Sequence, residues 1–465
     1  MKKTFLILVF AGVFLSGVAA QQKYEANWAS IDSRPIPQWF TNAKFGIFIH
    51  WGVYSVPAWA PLAADGATRL GHSFSEWYEN SLLYPISGIM HTSTKEFHKK
   101  AYGENFVYQD FAKDFKAELF KPDEWAKLFR ESGARYVVLT TKHCDGFALW
   151  PSQHSWKWNS VDVGPKRDLV GDLTEAVRKE GLHMGFYYSF LEWANPLHLN
   201  NLEKYVDEKM LPQMKDLVNR YKPDIFWPDG QWRQPSEVWK STEFLAWLYN
   251  ESPVKSTIVV NDRWGKETRG KHGGYYTTEY DKIDNENMKD TKIDHPWEEC
   301  RGIGQSFGYN RNEQLSDYNT SEELVHLLVE KVAKGGNLLL NIGPTGDGRI
   351  PVIMQQRLMD MGRWLKTNGE AIYETTSWEV AKHPEIEAYF TQKDNDLYLI
   401  CTKFPEKIIT IPNIGKKPVT VTLLGSKIQV NYSYKGRNVI INPPNISPAN
   451  NPCDYAWVFK LSGVI

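Results

Sequence analysis

Six side chains able to move protons or grip a polar ligand fall where short apolar runs give way to loops: His50, His143, Tyr187, Asp229, Arg263 and Glu279. One polar residue at such a place is ordinary. Two carboxylates, two imidazoles, a phenol and a guanidinium in succession are harder to explain as packing, because buried charges must be paired to be tolerated. Two carboxylates facing each other across a sugar-sized gap are what glycoside hydrolysis needs, one to attack or to activate water and one to protonate the leaving oxygen. Asp229 and Glu279 are the pair chosen here. In Phe226-Trp227-Pro228-Asp229-Gly230 the carboxylate closes an apolar run and precedes a glycine, which allows a ligand to come close to the backbone. His50, His143, Asp229 and Asp262 could also ligate a metal, but no HxH or HExxH spacing supports that reading, and no GxSxG elbow marks a serine hydrolase. The expectation is chemistry with no metal and no cofactor.

These residues converge only if the elements carrying them do. Eight β-branched or aromatic runs read as strands: Phe45 to His50, Tyr136 to Thr141, Met184 to Ser189, Asp224 to Pro228, Thr257 to Asn261, Tyr275 to Glu279, Gly302 to Gly308 and Asn337 to Ile342. Helical periodicity lies between them over Pro122 to Ser132, Asp168 to Glu180, Leu202 to Tyr221, Ser321 to Ala333 and Met354 to Asn368. Alternating elements imply a parallel sheet, and eight strands without a glycine-rich phosphate turn favour a closed (β/α)8-like (TIM-type) barrel over an open doubly wound sheet. In such a barrel the C-terminal strand ends form the active site, so the six residues share one rim. Strands five to seven lack a long intervening helix, and the barrel is expected to be irregular there. From about Thr376 the pattern changes to apolar and polar alternation broken by Pro, Gly and Asn, as in an antiparallel β-sandwich. The expected division is 1–20 signal peptide, 21–375 barrel and 376–465 sandwich, the last read as structural.

The 465 residues carry 54 Lys plus Arg against 55 Asp plus Glu, a net charge of -1 that gives no pull towards nucleic acid or anionic lipid. Aromatic residues make up 14% of the chain, with 19 Trp, and such rings suit both core packing and the C–H faces of sugars. Lys2 and Lys3, an apolar stretch from Phe5 to Val18, and Val18-Ala19-Ala20 read as an export signal, so a periplasmic or extracellular location is expected. No later run has the length of a membrane span. Among the four cysteines, Cys401 and Cys453 remain a candidate disulfide. A homo-oligomer is compatible with the sequence.

The chain also resembles a known family. Lys44-Phe45-Gly46-Ile47-Phe48-Ile49-His50-Trp51-Gly52, Glu76-Trp77-Tyr78, Thr141-Lys142-His143, Gly164 to Gly171, Asn261-Asp262-Arg263-Trp264-Gly265, Ser306 to Asn310 and Leu338 to Pro344 follow one another as in the α-L-fucosidases of glycoside hydrolase family 29, on their broad-specificity, lysosomal-like branch. The resemblance implies a retaining, exo-acting hydrolase of fucosylated glycans, with Asp229 as nucleophile and Glu279 as acid/base; Glu298 in Pro296-Trp297-Glu298-Glu299 is the rival for the second role. It further implies sugar binding by His50, Glu76, Trp77, His143, Tyr187, Trp227 and Arg263, with Trp59 as an outlying candidate. One departure stands out: Cys144 occupies the second position of a typical His-His pair. A non-catalytic fucose-binding barrel and an α-L-galactosidase remain as alternative readings.

Overall fold

The computed structural model describes residues 23–62, 74–84, 89–284, 286–289 and 291–465. The export signal read at 1–20 lies outside them. Ten strands form the first sheet, eight of them the barrel: β1 (Phe45–Ile49), β2 (Tyr136–Lys142), β3 (His183–Ser189), β4 (Ile225–Asp229), β5 (Val259–Val260), β6 (Tyr276–Glu279), β7 (Trp297–Gly302) and β8 (Asn337–Ile342); the other two, Lys282–Ile283 and Glu286–Asn287, continue antiparallel from β6. Neighbours pair in parallel in the order β5-β4-β3-β2-β1-β8-β7-β6. A parallel bridge between Asn261 and Tyr275 joins β5 to β6 and closes the barrel.

Strands β1, β2 and β8 are buried along their whole length, as expected where one face meets the lumen and the other meets helices. The lumen is packed with Phe48, Tyr136, Tyr187, Trp227, Tyr275 and Leu339, and Phe40 from the helix Gln38–Ala43 stacks on Tyr275 beneath them. Outer helices begin where their capping residues direct: Asp168 accepts the Gly171 N–H at 2.9 Å, and Thr320 with Glu323 forms a capping box.

Three expectations need correction. The seventh strand is Trp297–Gly302, not Gly302 to Gly308. Glu298 and Glu299 make the run look like a polar loop, yet both side chains are fully buried and hydrogen-bonded. The continuous helix read over Leu202 to Tyr221 breaks into Leu202–Tyr205, a π-helical turn Val206–Met210, and Leu211–Tyr221. Pro212, with no N–H to donate, sits just after the π turn that absorbs the lost bond. Cys401 and Cys453 do not pair; all four cysteines are free, and the Cys453 thiol faces the Ala456 carbonyl at 3.2 Å. The irregularity expected between β5 and β7 is present: among the described residues from 261 to 296 there is no helix.

Beyond Thr376, a five-stranded and a three-stranded antiparallel sheet enclose a core that includes Phe390, Leu399, Ile411, Val439 and Phe459. Among the described residues no helix is long and apolar enough to cross a membrane.

Candidate active site

Asp229 ends β4, and the local sequence makes a projecting carboxylate there feasible. Strand β5 stops pairing with β4 at Phe226, so Pro228, which cannot donate a ladder bond, lies past that seam. Asn261 Nδ2 donates to the Pro228 carbonyl at 3.1 Å, and Gly230 turns the chain away in the left-handed region at φ 78°. Arg263 follows β5, its N–H donating to Asn261 Oδ1 at 3.1 Å. Glu279 closes β6 at a tight hairpin whose two turn residues, Tyr280 and Asp281, have φ of 51° and 61°. Asp281 then ties that turn to Arg301 at 2.7 Å and to Lys331.

Arg263 links the two carboxylates. Its Nη1 donates to Asp229 Oδ1 at 2.9 Å, its Nη2 to Glu279 Oε2 at 3.1 Å, and its Nε to Thr277 Oγ1 at 3.0 Å. The guanidinium also lies 4.6 Å above the Trp227 ring. Burial opposes the Arg263 charge, but Asp229 and Glu279 outweigh it and hold its pKa above the ordinary arginine value. The second Asp229 oxygen accepts from the Tyr187 hydroxyl at 2.9 Å.

On the other side of the rim, His50 Nδ1 meets Asn341 Oδ1 at 2.7 Å, while Asn341 Nδ2 donates to the Phe307 carbonyl at 2.7 Å. With the amide oriented by that second bond, His50 must carry its proton on Nδ1, which leaves Nε2 as an acceptor. Burial pushes the His50 pKa down to about 4, so the ring is neutral near pH 7. Burial, with a smaller contribution from His50, holds His143 well below the usual range too, and its Nδ1 is buried with no protein partner. An unpaired buried nitrogen of this kind calls for a ligand to satisfy it.

Glu76 comes from a single helical turn, Ser75–Trp77, in the long connection after β1. One of its oxygens accepts the Gly308 N–H at 2.9 Å and the Ser306 hydroxyl at 3.1 Å; burial still raises its pKa to about 7.

All of these groups border one cavity of about 480 Å³: Asp229, Glu279, His50, Glu76, Trp77, His143, Tyr187, Trp227 and Arg263 each line it. Two candidates do not. Trp59 stacks on Phe97 with centroids 4.5 Å apart, and Glu298 is 0% exposed beneath the floor, accepting from Tyr136 at 2.5 Å and Trp227 at 3.0 Å. Cys144 lines the cavity with its thiol 3.0 Å from the Ser189 hydroxyl, and burial pushes its pKa up, so it is a neutral thiol. Sequence reasoning missed Asn341 and the apolar walls Phe48, Phe74 and Phe307. Asn341 lies one residue from the end of β8, so the strand-end rule applied to the eighth strand would have found it.

A family model described as alpha-L-fucosidase matches residues 13–370, and one described as the alpha-L-fucosidase C-terminal domain matches 384–462. The chain belongs to the alpha-L-fucosidase family. Tissue alpha-L-fucosidase of Bos taurus is 44% identical over 453 residues, covering 95% of this chain and 92% of that one. The Homo sapiens tissue enzyme is 43% identical over 472 residues, covering 99% and 96%. The crystal structure of Thermotoga maritima alpha-fucosidase in complex with a mechanism-based inhibitor superposes with a TM-score of 0.79 at 39% identity, covering 95% of this chain and all of that one. The chain is thus a glycoside hydrolase, with the TIM-like barrel and C-terminal sheet domain of its family.

Proposed function

We propose that the protein releases terminal α-L-fucose from glycans with retention of configuration, using Asp229 as nucleophile and Glu279 as acid/base. The observation that carries this reading is the single guanidinium shared by two carboxylates at the ends of strands β4 and β6, which flank β5 on either side. In the first step Asp229 attacks the anomeric carbon while Glu279 gives its proton to the departing oxygen. As Asp229 forms the ester, Glu279 becomes the carboxylate, and Arg263 keeps a hydrogen bond to each through the step. That arrangement needs no reorganisation during the reaction, which is the source of electrostatic catalysis. In the second step Glu279 takes a proton from water, the water oxygen attacks the anomeric carbon, and Asp229 leaves as carboxylate.

Around that centre, neutral His50 offers an acceptor at Nε2, and the unpartnered His143 Nδ1 and Glu76 meet the sugar hydroxyls. Tyr187 and Trp227, whose rings lie 22° from parallel at 5.7 Å, form an apolar wall for the deoxy sugar's methyl side. Glu279 is preferred to Glu298 as acid/base because Glu298 is sealed under Trp227 and Tyr136. The two lysines and apolar stretch at the N-terminus support export to a periplasm or the exterior.

Asp229→Ala tests the assignment. Turnover of an aryl α-L-fucoside should fall by a factor on the order of 10⁴, as for loss of a group that acts in the bond-making step, and added azide should restore part of it as the β-fucosyl azide. Undiminished turnover would remove Asp229 from the reaction. In the wild type, the first fucose anomer seen by NMR should be α; β first would exclude double displacement.

A further inference from the structure

The mouth of the cavity is lined by Trp232, Arg269 and Asp284, to which the reading above gives no role. Side-chain exposure rises from 5% at Arg263 through 14% at Asp229 and 27% at Glu279 to 56% at Asp284, with Trp232 38% exposed as a residue. All five line the same cavity, so this gradient orders it from floor to opening. Buried Trp227, Tyr187 and Phe48 close the floor. Among the described lining residues, Trp232 and Asp284 are the exposed ones, which puts them on the solvent side of the cavity.

Trp232 lies three residues beyond Asp229, in the turn Gln231–Arg233 that Gly230 initiates. The turn is anchored where Trp239 Nε1 donates to the Gln231 carbonyl at 3.1 Å. The Trp232 indole plane is 13° from that of Trp77, with centroids 6.4 Å apart, and Trp77 in turn packs on Trp193 at 5.2 Å. An indole backed in this way has little freedom, so a flat apolar surface is held at the opening. Polar groups stand beside it: Arg269 Nη1 donates to Asp284 Oδ1 at 3.1 Å, and its Nη2 is fastened to the Thr277 carbonyl at 2.8 Å, in the strand that carries Glu279. An aromatic plane next to an oriented carboxylate suits a ring with C–H groups on one face and hydroxyls at its edge.

We infer that Trp232, with the Arg269–Asp284 pair, forms a leaving-group subsite that holds a pyranose while Glu279 protonates its glycosidic oxygen. The inference rests on the fucosidase reading above and adds the class of leaving group. Trp232 stacks on the C–H face of the departing sugar and Asp284 accepts from its hydroxyls.

The test compares kcat/KM for a fucosyl-galactose disaccharide with that for α-L-fucosyl fluoride, whose leaving group has no ring. Because kcat/KM covers the steps up to formation of the fucosyl-enzyme, it reports the stage at which the leaving group is present. In Trp232→Ala the disaccharide-to-fluoride ratio should fall about five- to tenfold relative to wild type, the scale of an aromatic stacking contact. Trp232→Phe, which keeps a ring, should recover most of it. A parallel loss on both substrates, or no loss on either, overturns the subsite. Failure of wild type to hydrolyse the fluoride would instead overturn the fucosidase reading and the subsite with it.

Discussion

Replacing Arg263 with Lys keeps the positive charge and removes the span. One ammonium cannot occupy both the Nη1 position, 2.9 Å from Asp229, and the Nη2 position, 3.1 Å from Glu279, nor can it reproduce the Nε bond to Thr277. At least one charge-assisted hydrogen bond is lost, about 1.5–3 kcal/mol, together with one ordinary bond of about 0.5–1.5 kcal/mol. Arg263 is only 5% exposed in its side chain, so water does little to soften the loss. The sum, about 2–4.5 kcal/mol, corresponds to roughly a 30- to 2,000-fold decrease in kcat/KM. Because the lost bonds align the two carboxylates proposed to react, the decrease should appear chiefly in kcat. Steady-state kinetics on an aryl α-L-fucoside, with thermal unfolding to establish an intact fold, would measure it. A folded Arg263→Lys enzyme within about threefold of wild type would refute the idea that one guanidinium must bridge both groups.

Three other outcomes follow from the same geometry. Glu279→Ala should slow fucosides with poor leaving groups far more than those with activated aryl groups, whereas Glu298→Ala should lower the melting temperature by leaving the Tyr136 hydroxyl and Trp227 N–H unpaired, about 1–3 kcal/mol each; the reverse pattern would exchange their roles. Burial raises the Glu76 pKa from 4.5 to about 7, so its contribution to stability is fully present below the lower value and lost as pH rises through the higher. Unfolding of wild type against Glu76→Gln across that window should therefore shift against wild type by about 3 kcal/mol as pH increases, and a flat difference would show that Glu76 is ionised throughout. Gly230→Ala would force a side chain into the left-handed region at φ 78°, with its Cβ 3.0 Å from both Leu191 and Ser189; a loss of about 1–2 kcal/mol of stability and a lower kcat are expected, and unchanged melting and kinetics would argue against the close turn.

Much of this is legible in the sequence. Alternating apolar runs and helical periodicity identify a barrel because a parallel strand buried on both faces and a helix buried on one have different repeats, and both are local. The strand-end rule then located His50, His143, Tyr187, Asp229, Arg263 and Glu279 together, since the fold itself brings those positions to one rim. Local pattern fails where burial is decided by distant partners. Trp297–Gly302 carries two glutamates and an arginine; Arg301 pairs with Glu299, and Tyr136, Trp227 and Thr278, each from another strand, donate to the glutamates and help make them tolerable inside. The same long-range pairing removed Glu298 from the cavity and brought Asn341 behind His50.

Sequence alone determined the fold class, the family and which side chains line the candidate site, because these depend on periodicity and on motifs that are contiguous along the chain. Only the tertiary structure decided which nitrogen of His50 is free, that one arginine serves both carboxylates, and that Trp232 stands at the opening. Those facts are hydrogen-bond directions and exposures between residues up to 291 positions apart, and no local spacing records them.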